Sequence, residues 1–444
     1  MHDAASSPPE KRAALYTLGC RLNQAETRLL EDQLRAAGYR IVPFNEPADL
    51  GVVHGCVVTR EAEAKSRKAL RRFIRANPGA VAAVIGCHAQ TAADALADMP
   101  GVSLVLGNDA KLQLVEALAA VSGQAAVVRC EPPAKTPFTI PFEPDGPPIT
   151  RRVNLKIQDG CDCACSYCIV PRARGGSRSR VMEDILAEAA ALVRRSAREL
   201  VLTGVNIGAY HYNGQGLAAL IDRLDRLDPK PRLRISSIEG SNVPEGLLAR
   251  MADPAHALVP HLHMPLQSGS ATILRAMNRP YAPEDCLAFL REAAAAVPGI
   301  GLGADVMVGF PGETDDAFQA TCDLVQQGPL FYLHVFQYSE RPGTAAARLP
   351  DKVPAPVMQA RSRTLLAIAR RKKRAFQQQW LGQPIEVLFE SRKHGLWRGH
   401  AGNYLEVAVD ADANLENQFA TVVCNAVQDD LLQGRLVGPA GARP

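Results

Sequence analysis

Residues 154–171 read NLKIQDGCDCACSYCIVP. A short run that alternates apolar and polar residues, Asn154–Gly160, leads directly into four cysteines within eight residues. Cys161, Cys165 and Cys168 have the spacing C-x3-C-x2-C, which sets three thiolates on one tight loop. Each can hold one iron of a [4Fe–4S] cube, and the fourth iron is then left without a protein ligand. Structural zinc is the alternative, but zinc needs a fourth ligand and normally pairs two separated cysteine knuckles. Cys163 is an extra thiol within the loop and reads as a bystander.

Working outward, the strand–helix alternation continues. Strands are predicted at Asn154–Gly160, Leu200–Val205, Leu233–Ile238, His261–Leu266, Leu302–Val308 and Leu333–Tyr338, with helices such as Val181–Ser196, Leu217–Leu227 and Asp315–Gln326 between them. Six βα units over residues 151–379 predict an open, partial (β/α)6 barrel, with its loop chemistry at the C-terminal ends of the strands. Upstream, residues 13–128 alternate in the same way: strands at Ala13–Cys20, Leu50–Cys56, Ala80–Cys87 and Ser103–Gly107, helices at Asn23–Ala37, Thr59–Ala76, Thr91–Met99 and Asp109–Val121. That pattern predicts a parallel α/β sheet domain. Between the two, residues 129–150 form a linker, with seven prolines in Glu131–Thr150. Downstream, Pro354–Trp380 reads as a long basic helix, and residues 380–440 carry short alternating runs that predict a small all-β barrel.

Three further cysteines share a local pattern. Cys20, Cys56 and Cys87 each follow a glycine at the C-terminal end of a predicted parallel strand. Those ends share one edge of an open α/β sheet, the edge where ligands bind, so three thiols dispersed in sequence converge there on a second cluster site. Three buried free cysteines are the plainer alternative. His54 and His88 flank this edge and read as core or supporting residues rather than iron ligands.

Composition bounds the rest. With 47% hydrophobic and 22% charged residues, the 444-residue chain can fill several cores. No window approaches the ~20 apolar residues of a membrane span. Met1–Arg12 lacks the apolar segment of a signal peptide and reads as a short lead-in. Eleven cysteines in such a chain argue for metal rather than disulfides, and a cytoplasmic location is expected. The net charge of +4 is too small to imply nucleic-acid binding by itself.

At this point a resemblance becomes specific. GCDCACSYCIVP (Gly160–Pro171) resembles the motif of radical S-adenosylmethionine enzymes, in the form found in methylthiotransferases. LGCRLNQAET (Leu18–Thr27), GCVVTREAEAKSRK (Gly55–Lys68) and IGCHAQ (Ile85–Gln90) resemble that family's N-terminal cluster domain, although His54-Gly55 stands where the family usually shows Asn-Thr. LTGVNIG (Leu202–Gly208), RISSIEG (Arg234–Gly240), HMPLQSGS (His263–Ser270), VGFPGET (Val308–Thr314) and YSERPGTAAA (Tyr338–Ala347) extend the match over most of the chain, and the C-terminal module resembles a TRAM domain. The resemblance implies two [4Fe–4S] clusters and S-adenosylmethionine as cofactors. It also implies a deoxyadenosyl radical that removes hydrogen from carbon 2 of an adenine, and an electron donor, such as a flavodoxin or ferredoxin, together with a sulfur donor as partners. GCRLNQAET is most similar to the branch that acts on N6-threonylcarbamoyladenosine in tRNA, next to the anticodon. Isopentenyladenosine in tRNA and a ribosomal-protein side chain are the alternative substrates. A noncatalytic iron–sulfur sensor or RNA-binding protein would not need the motifs that follow the cysteine loop. A cobalamin enzyme would usually carry Asp-x-His-x-x-Gly, and neither His54 nor His88 has Asp two residues before it.

Candidate contacts to S-adenosylmethionine are the strand-end residues Thr203, Gly204, Asn206, Ser237, Glu239, Gln267 and Asp305. VGFPGET lacks the lysine of a P-loop. For tRNA phosphates the candidates are Arg172, Arg174, Arg178 and Arg180, which follow the cysteine loop. Arg60–Arg75 and Pro354–Trp380 each carry seven basic residues, on faces that suit either solvent or RNA. Trp380–Val437 has four basic and eight acidic residues, which limits any simple attraction of that module to phosphate.

Overall fold

The alternation in the N-terminal third builds a six-stranded sheet in which every pairing is parallel. The computed structural model describes residues 10–123 and 125–438, so the reading of residues 1–9 as a lead-in and the last two residues of the 380–440 module lie outside it. The described chain divides into two compact units. The first runs through Gly146 and also takes in Asp159–Asp162 and Cys168–Arg178; the second holds Pro147–Gln158, Cys163–Tyr167 and the chain from Ser179 onward.

In the first unit the strands are β1 (Arg12–Thr17), β2 (Arg40–Val42), β3 (Leu50–Gly55), β4 (Val81–Gly86), β5 (Leu104–Leu106) and β6 (Val127–Arg129), in the order β2-β1-β3-β4-β5-β6. β2 and β6 are short outer strands that the sequence pattern does not announce. Neighbouring residues on a strand feed opposite cores: Ala14, Val53, Val84 and Val105 pack on one face, Ala13, Val52, Ile85 and Leu104 on the other. That is why these strands read as unbroken apolar runs. Helix α1 (Arg21–Ala36) follows β1, and α2 (Arg60–Ala76) follows β3, with the Thr59 hydroxyl accepting from the Ala62 amide at 3.1 Å to cap it. After β4 the single expected helix Thr91–Met99 is two short ones, α3 (Cys87–Thr91) and Ala93–Ala97; the expected helix Asp109–Val121 is a tight turn at Lys111–Gln113 followed by Leu114–Leu118.

In the second unit, Val153–Lys156, Glu199–Thr203 and Arg232–Ile235 form one parallel trio, and His261–Gln267, Gly301–Val308 and Tyr332–Gln337 form another. A parallel bridge between Leu233 and Leu258 and a hydrogen bond from the Ile238 amide to the His263 carbonyl (2.9 Å) join them. Six strands in chain order make the open barrel expected from the six βα units. The long helix Ala355–Gln378 leads to a closed barrel of five strands within 384–436. This barrel is held to the open one by buried charge. Glu199 binds Arg232 and Arg234, all three fully buried, and those arginines donate to the carbonyls of His400, Ala401 and Gly402.

Candidate functional site

The three Gly-Cys pairs sit at the C-terminal ends of β1, β3 and β4, which are adjacent in the sheet. Cys56 and Cys87 directly follow β3 and β4; Cys20 caps the start of α1. The glycines are required locally. Gly19 has φ of 101°, and a Cβ there would stand 3.0 Å from Cys56 Sγ; Gly86 has φ of 85°, and a Cβ there would meet the His54 ring at 2.5 Å. His54 therefore fills the space over β4, bonded through Nδ1 to Thr27 Oγ1 at 3.0 Å and facing Glu26 at 3.5 Å. It is a buried structural residue, and the sequence His54-Gly55 is accommodated by this packing.

Behind the thiols lies a buried charge network. Arg174 is 2% exposed and donates Nε to Cys87 Sγ at 3.2 Å. Its two terminal nitrogens grip Glu26 (both 3.2 Å), Asp159 (2.9 Å) and Asn23 (2.7 Å). Burial alone would discharge this guanidinium, but Asp159, Cys87 and Glu26 outweigh that and keep it cationic. Lys111, fully buried, adds a second cation on Glu26 at 2.9 Å. Burial pushes the Cys56 thiol up to about 11, with Cys20 and Cys87 adding to the rise, so the three sulfurs share one electrostatic environment. Among the described residues no three His, Cys, Asp or Glu side chains close on a point as around a single ion. A cube that takes one thiolate at each of three iron corners needs wider spacing, and thiols backed by buried cations fit its anionic charge.

Two of the C-x3-C-x2-C cysteines, Cys161 and Cys168, belong to the first unit and Cys165 to the second. Cys168 leads through Ile169, the N-cap, into the helix Val170–Arg174, and Ile169 and Ala173 pack against Val57 and Cys87. In the second unit the Ser166 hydroxyl donates to the Ala276 carbonyl at 2.7 Å, and Asn278 Nδ2 donates to Ala164 O at 2.8 Å. Arg279 donates to Cys165 Sγ at 3.2 Å, pairs with Glu239, and lies over the Tyr281 ring. Sequence reasoning misses Arg279; its one signal is a basic residue in the loop after the HMPLQSGS segment.

The strand-end candidates for S-adenosylmethionine gather in the second unit. Gln158 Oε1 accepts from the amides of Val205 and Asn206 (both 2.9 Å), and a side chain at Gly204 would meet that oxygen at 2.8 Å. Thr203 is buried, and its carbonyl accepts from the Ile157 amide at 2.9 Å. Ser237 is exposed. Gln267 has φ of 67° at a strand irregularity, and its buried Oε1 has no partner among the described residues. A buried orphaned acceptor at the reaction edge fits a ligand with an amino or hydroxyl donor. Asp305 is instead taken up by His263 Nε2 (3.2 Å) and His334 Nδ1 (2.9 Å).

The arginines expected to hold phosphate are a correction. Arg174, Arg178 and Arg180 are 2%, 8% and 0% exposed. Arg174 is committed to the network above, Arg178 to Asp109 while lying over Phe138, and Arg180 to Asp184 (2.5 Å) and Glu188. Guanidinia this deep, each already held by a carboxylate, are not available to a polyanion. Arg172 alone of the four is exposed.

Comparisons with known proteins bear on this arrangement. The family profile described as Radical SAM superfamily matches residues 155–325, and that of Uncharacterized protein family UPF0004 matches residues 12–107. Over 426 residues the chain is 34% identical to the Threonylcarbamoyladenosine tRNA methylthiotransferase MtaB of Bacillus subtilis (strain 168), covering 92% of each. It is also 34% identical, over 440 residues, to a tRNA-2-methylthio-N(6)-dimethylallyladenosine synthase of Cereibacter sphaeroides, covering 96% of this chain and 99% of the relative. Among solved structures, the radical S-adenosylmethionine methyltransferase TsrM from Kitasatospora setae shares the fold, with a TM-score of 0.52 at 14% identity over 73% of this chain and 72% of that one. Identity at this level over nearly whole chains, with both profiles lying over the two cysteine sets, shows that the protein belongs to the radical S-adenosylmethionine methylthiotransferase family.

Proposed function

We propose that the protein methylthiolates carbon 2 of N6-threonylcarbamoyladenosine in tRNA, with one [4Fe–4S] cluster on Cys161, Cys165 and Cys168 and a second on Cys20, Cys56 and Cys87. The observation that carries the two-cluster reading is the second triad: three Gly-Cys strand ends on adjacent strands, backed by the buried cation of Arg174. The substrate reading draws on LGCRLNQAET and on near-full-length relatives named for threonylcarbamoyladenosine in Bacillus subtilis and Chlamydia pneumoniae.

When bound, the clusters and S-adenosylmethionine supply one-electron cleavage, hydrogen abstraction, sulfur and methyl. The chain's own work is positioning. Gln267 offers its orphaned acceptor to the cofactor, Gln158 fixes the Val205–Asn206 turn, and Arg279 ties Glu239 to the cysteine loop. With three arginines buried, phosphate contact falls to exposed cations on two helices: Lys68, Arg71, Arg72 and Arg75 on α2, and Arg363, Arg370, Arg371 and Arg374 on Ala355–Gln378. A cytoplasmic setting, a flavodoxin- or ferredoxin-type reductant and a separate sulfur donor belong to the same proposal. Among the described residues no helix is long and apolar enough to cross a membrane.

The test is anaerobic incubation of reconstituted protein with tRNA bearing each modified adenosine and with ribosomal protein, followed by mass analysis. Methylthio on threonylcarbamoyladenosine is the expected result. Methylthio only on dimethylallyladenosine or only on the protein overturns the substrate assignment.

A further inference from the structure

Strand Tyr332–Gln337 is the outer strand of its trio, bonded among the described residues to one neighbour. Its residues alternate: Leu333 and Val335 pack into the core with the helices, whereas Tyr332, His334 and Phe336 take the other face. Register brings Asp305 beside His334, and Gly303 beside both His263 and Tyr332. One carboxylate thereby holds two imidazoles, His263 Nε2 at 3.2 Å and His334 Nδ1 at 2.9 Å. His263 is 12% exposed and Asp305 24%, but His334 is 62% exposed, and its Nε2 has no protein partner among the described residues. Burial opposes ionisation of Asp305; the two imidazoles outweigh it, and in return the Asp305 bond raises the pKa of His334. With Nδ1 engaged by Asp305, the exposed ring leaves Nε2 for an outside partner, and the Asp305 bond favours the protonated form in which that nitrogen donates.

Its place is informative. Two residues further along the same face, Met307 and Phe336 pack in one cluster with Tyr167, the neighbour of Cys168. Two residues of strand span about 7 Å. His334 thus shares a strand face with Phe336, whose cluster includes the neighbour of Cys168. Relatives named for threonylcarbamoyladenosine and for dimethylallyladenosine are equally identical to this chain. What separates the two adenine substituents must be local, and chemically they differ in one respect above all: the first ends in a carboxylate and a hydroxyl, the second in hydrocarbon.

We propose that His334, oriented by Asp305 and supported by His263, is the specificity subsite that receives the carboxylate of the substituent on the target adenine. Dimethylallyl in this place would leave the imidazole and its carboxylate facing hydrocarbon, and sites built for a polar group reject analogues that lack it. The inference rests on the threonylcarbamoyladenosine reading above.

Binding of anticodon stem-loops to the anaerobically reconstituted protein tests it, with a readout that needs no turnover. Fluorescence anisotropy would compare loops carrying threonylcarbamoyladenosine with loops carrying its methyl ester, for wild type, His334→Leu and His334→Arg. Wild type is expected to prefer the acid by about tenfold or more. His334→Leu should bring the acid-to-ester ratio to about one, and His334→Arg, which keeps a cation, should restore the preference. Because acid and ester are compared within each protein, a partly unfolded variant weakens both and leaves the ratio readable. A His334→Leu protein that keeps the wild-type ratio, or a wild type with no preference, overturns the subsite. Methylthiolation of dimethylallyladenosine alone by wild type would instead overturn the functional reading on which it rests.

Discussion

Removing the charge of Glu199 should loosen the C-terminal barrel and little else. Glu199 is fully buried and receives Arg232 at 2.9 and 2.7 Å and Arg234 at 2.6 and 3.3 Å. Burial opposes its ionisation, but the two guanidinia hold its carboxyl far below the usual carboxylate range. Glu199→Gln leaves two buried cations without their counter-charge, still tied to the carbonyls of His400, Ala401 and Gly402. Each missing attraction is worth roughly 4 kcal/mol at 4 Å in a medium of effective dielectric 20. Measured losses for such broken pairs, after relaxation, run at about 3–5 kcal/mol. With a urea slope of about 1–3 kcal/mol/M, the midpoint should fall by about 1 M or more. The assay is unusually local. The chain has two tryptophans, Trp380 and Trp397, and both belong to the C-terminal barrel's core cluster. Their fluorescence reports that barrel, while far-UV circular dichroism is dominated by helices elsewhere. Replacing Glu199, Arg232 and Arg234 together with apolar residues should recover much of the loss, since a buried ion triad is often no more stable than hydrocarbon of the same shape. A midpoint that moves by less than about 0.3 M in Glu199→Gln would refute the view of these charges as the barrel's attachment.

Three further outcomes are expected. Reconstituted protein should hold roughly eight irons and eight sulfides, and Cys20, Cys56 and Cys87 changed together to Ala should halve that; that variant should still release 5′-deoxyadenosine while losing methylthiolation, and the change at Cys161, Cys165 and Cys168 should abolish both, as read by iron assay and chromatography. Glu390, bonded to Arg152 at 3.0 Å and His400 at 2.9 Å, has its carboxyl lowered to about 2. As burial opposes that shift and the two partners outweigh it, Glu390 adds about 3 kcal/mol of stability above its unfolded pKa; this is lost as pH falls toward 2, so the stability gap between wild type and Glu390→Gln in urea titrations should be full near neutrality and close in acid. Changing Arg71, Arg72 and Arg75 to Gln should weaken tRNA binding and flatten its salt dependence by about 0.9 in slope for each phosphate no longer neutralised, measured by filter binding across a salt series.

What could be read in the sequence follows from how local each determinant is. The strands of the first unit were legible because burial on two faces leaves unbroken apolar runs, and those of the second because apolar residues recur between polar ones at regular βα spacing. The Gly-Cys pairs were legible because close neighbours leave no room for a side chain at any of the three glycines, with a positive φ besides at Gly19 and Gly86, so the constraint is written at the residue itself. β6 was not legible: Val127–Arg129 is a partly exposed edge strand of three residues. The arginines after the cysteine loop looked like a phosphate clamp because sequence shows charge but not its partner. Arg174 finds Glu26 148 residues away, and Arg178 finds Asp109 69 residues away. Arg279 was missed for the same reason, since Cys165 lies 114 residues before it.

The short stretch from Cys168 to Arg174 bears on how the protein is assembled. Cys168 is one ligand of the first cluster proposed above, and six residues later Arg174 touches Cys87, a ligand of the second proposed one. The helix between them packs its Ala173 against Val57 and Cys87. A segment fixed at both ends loses its freedom once, so whichever site is filled first has already ordered the wall of the other. Loading should therefore run as a concerted process, in which half-filled molecules are scarce at limiting iron. Oxidative loss at one site would correspondingly unsettle its neighbour, and repair would have to restore the pair.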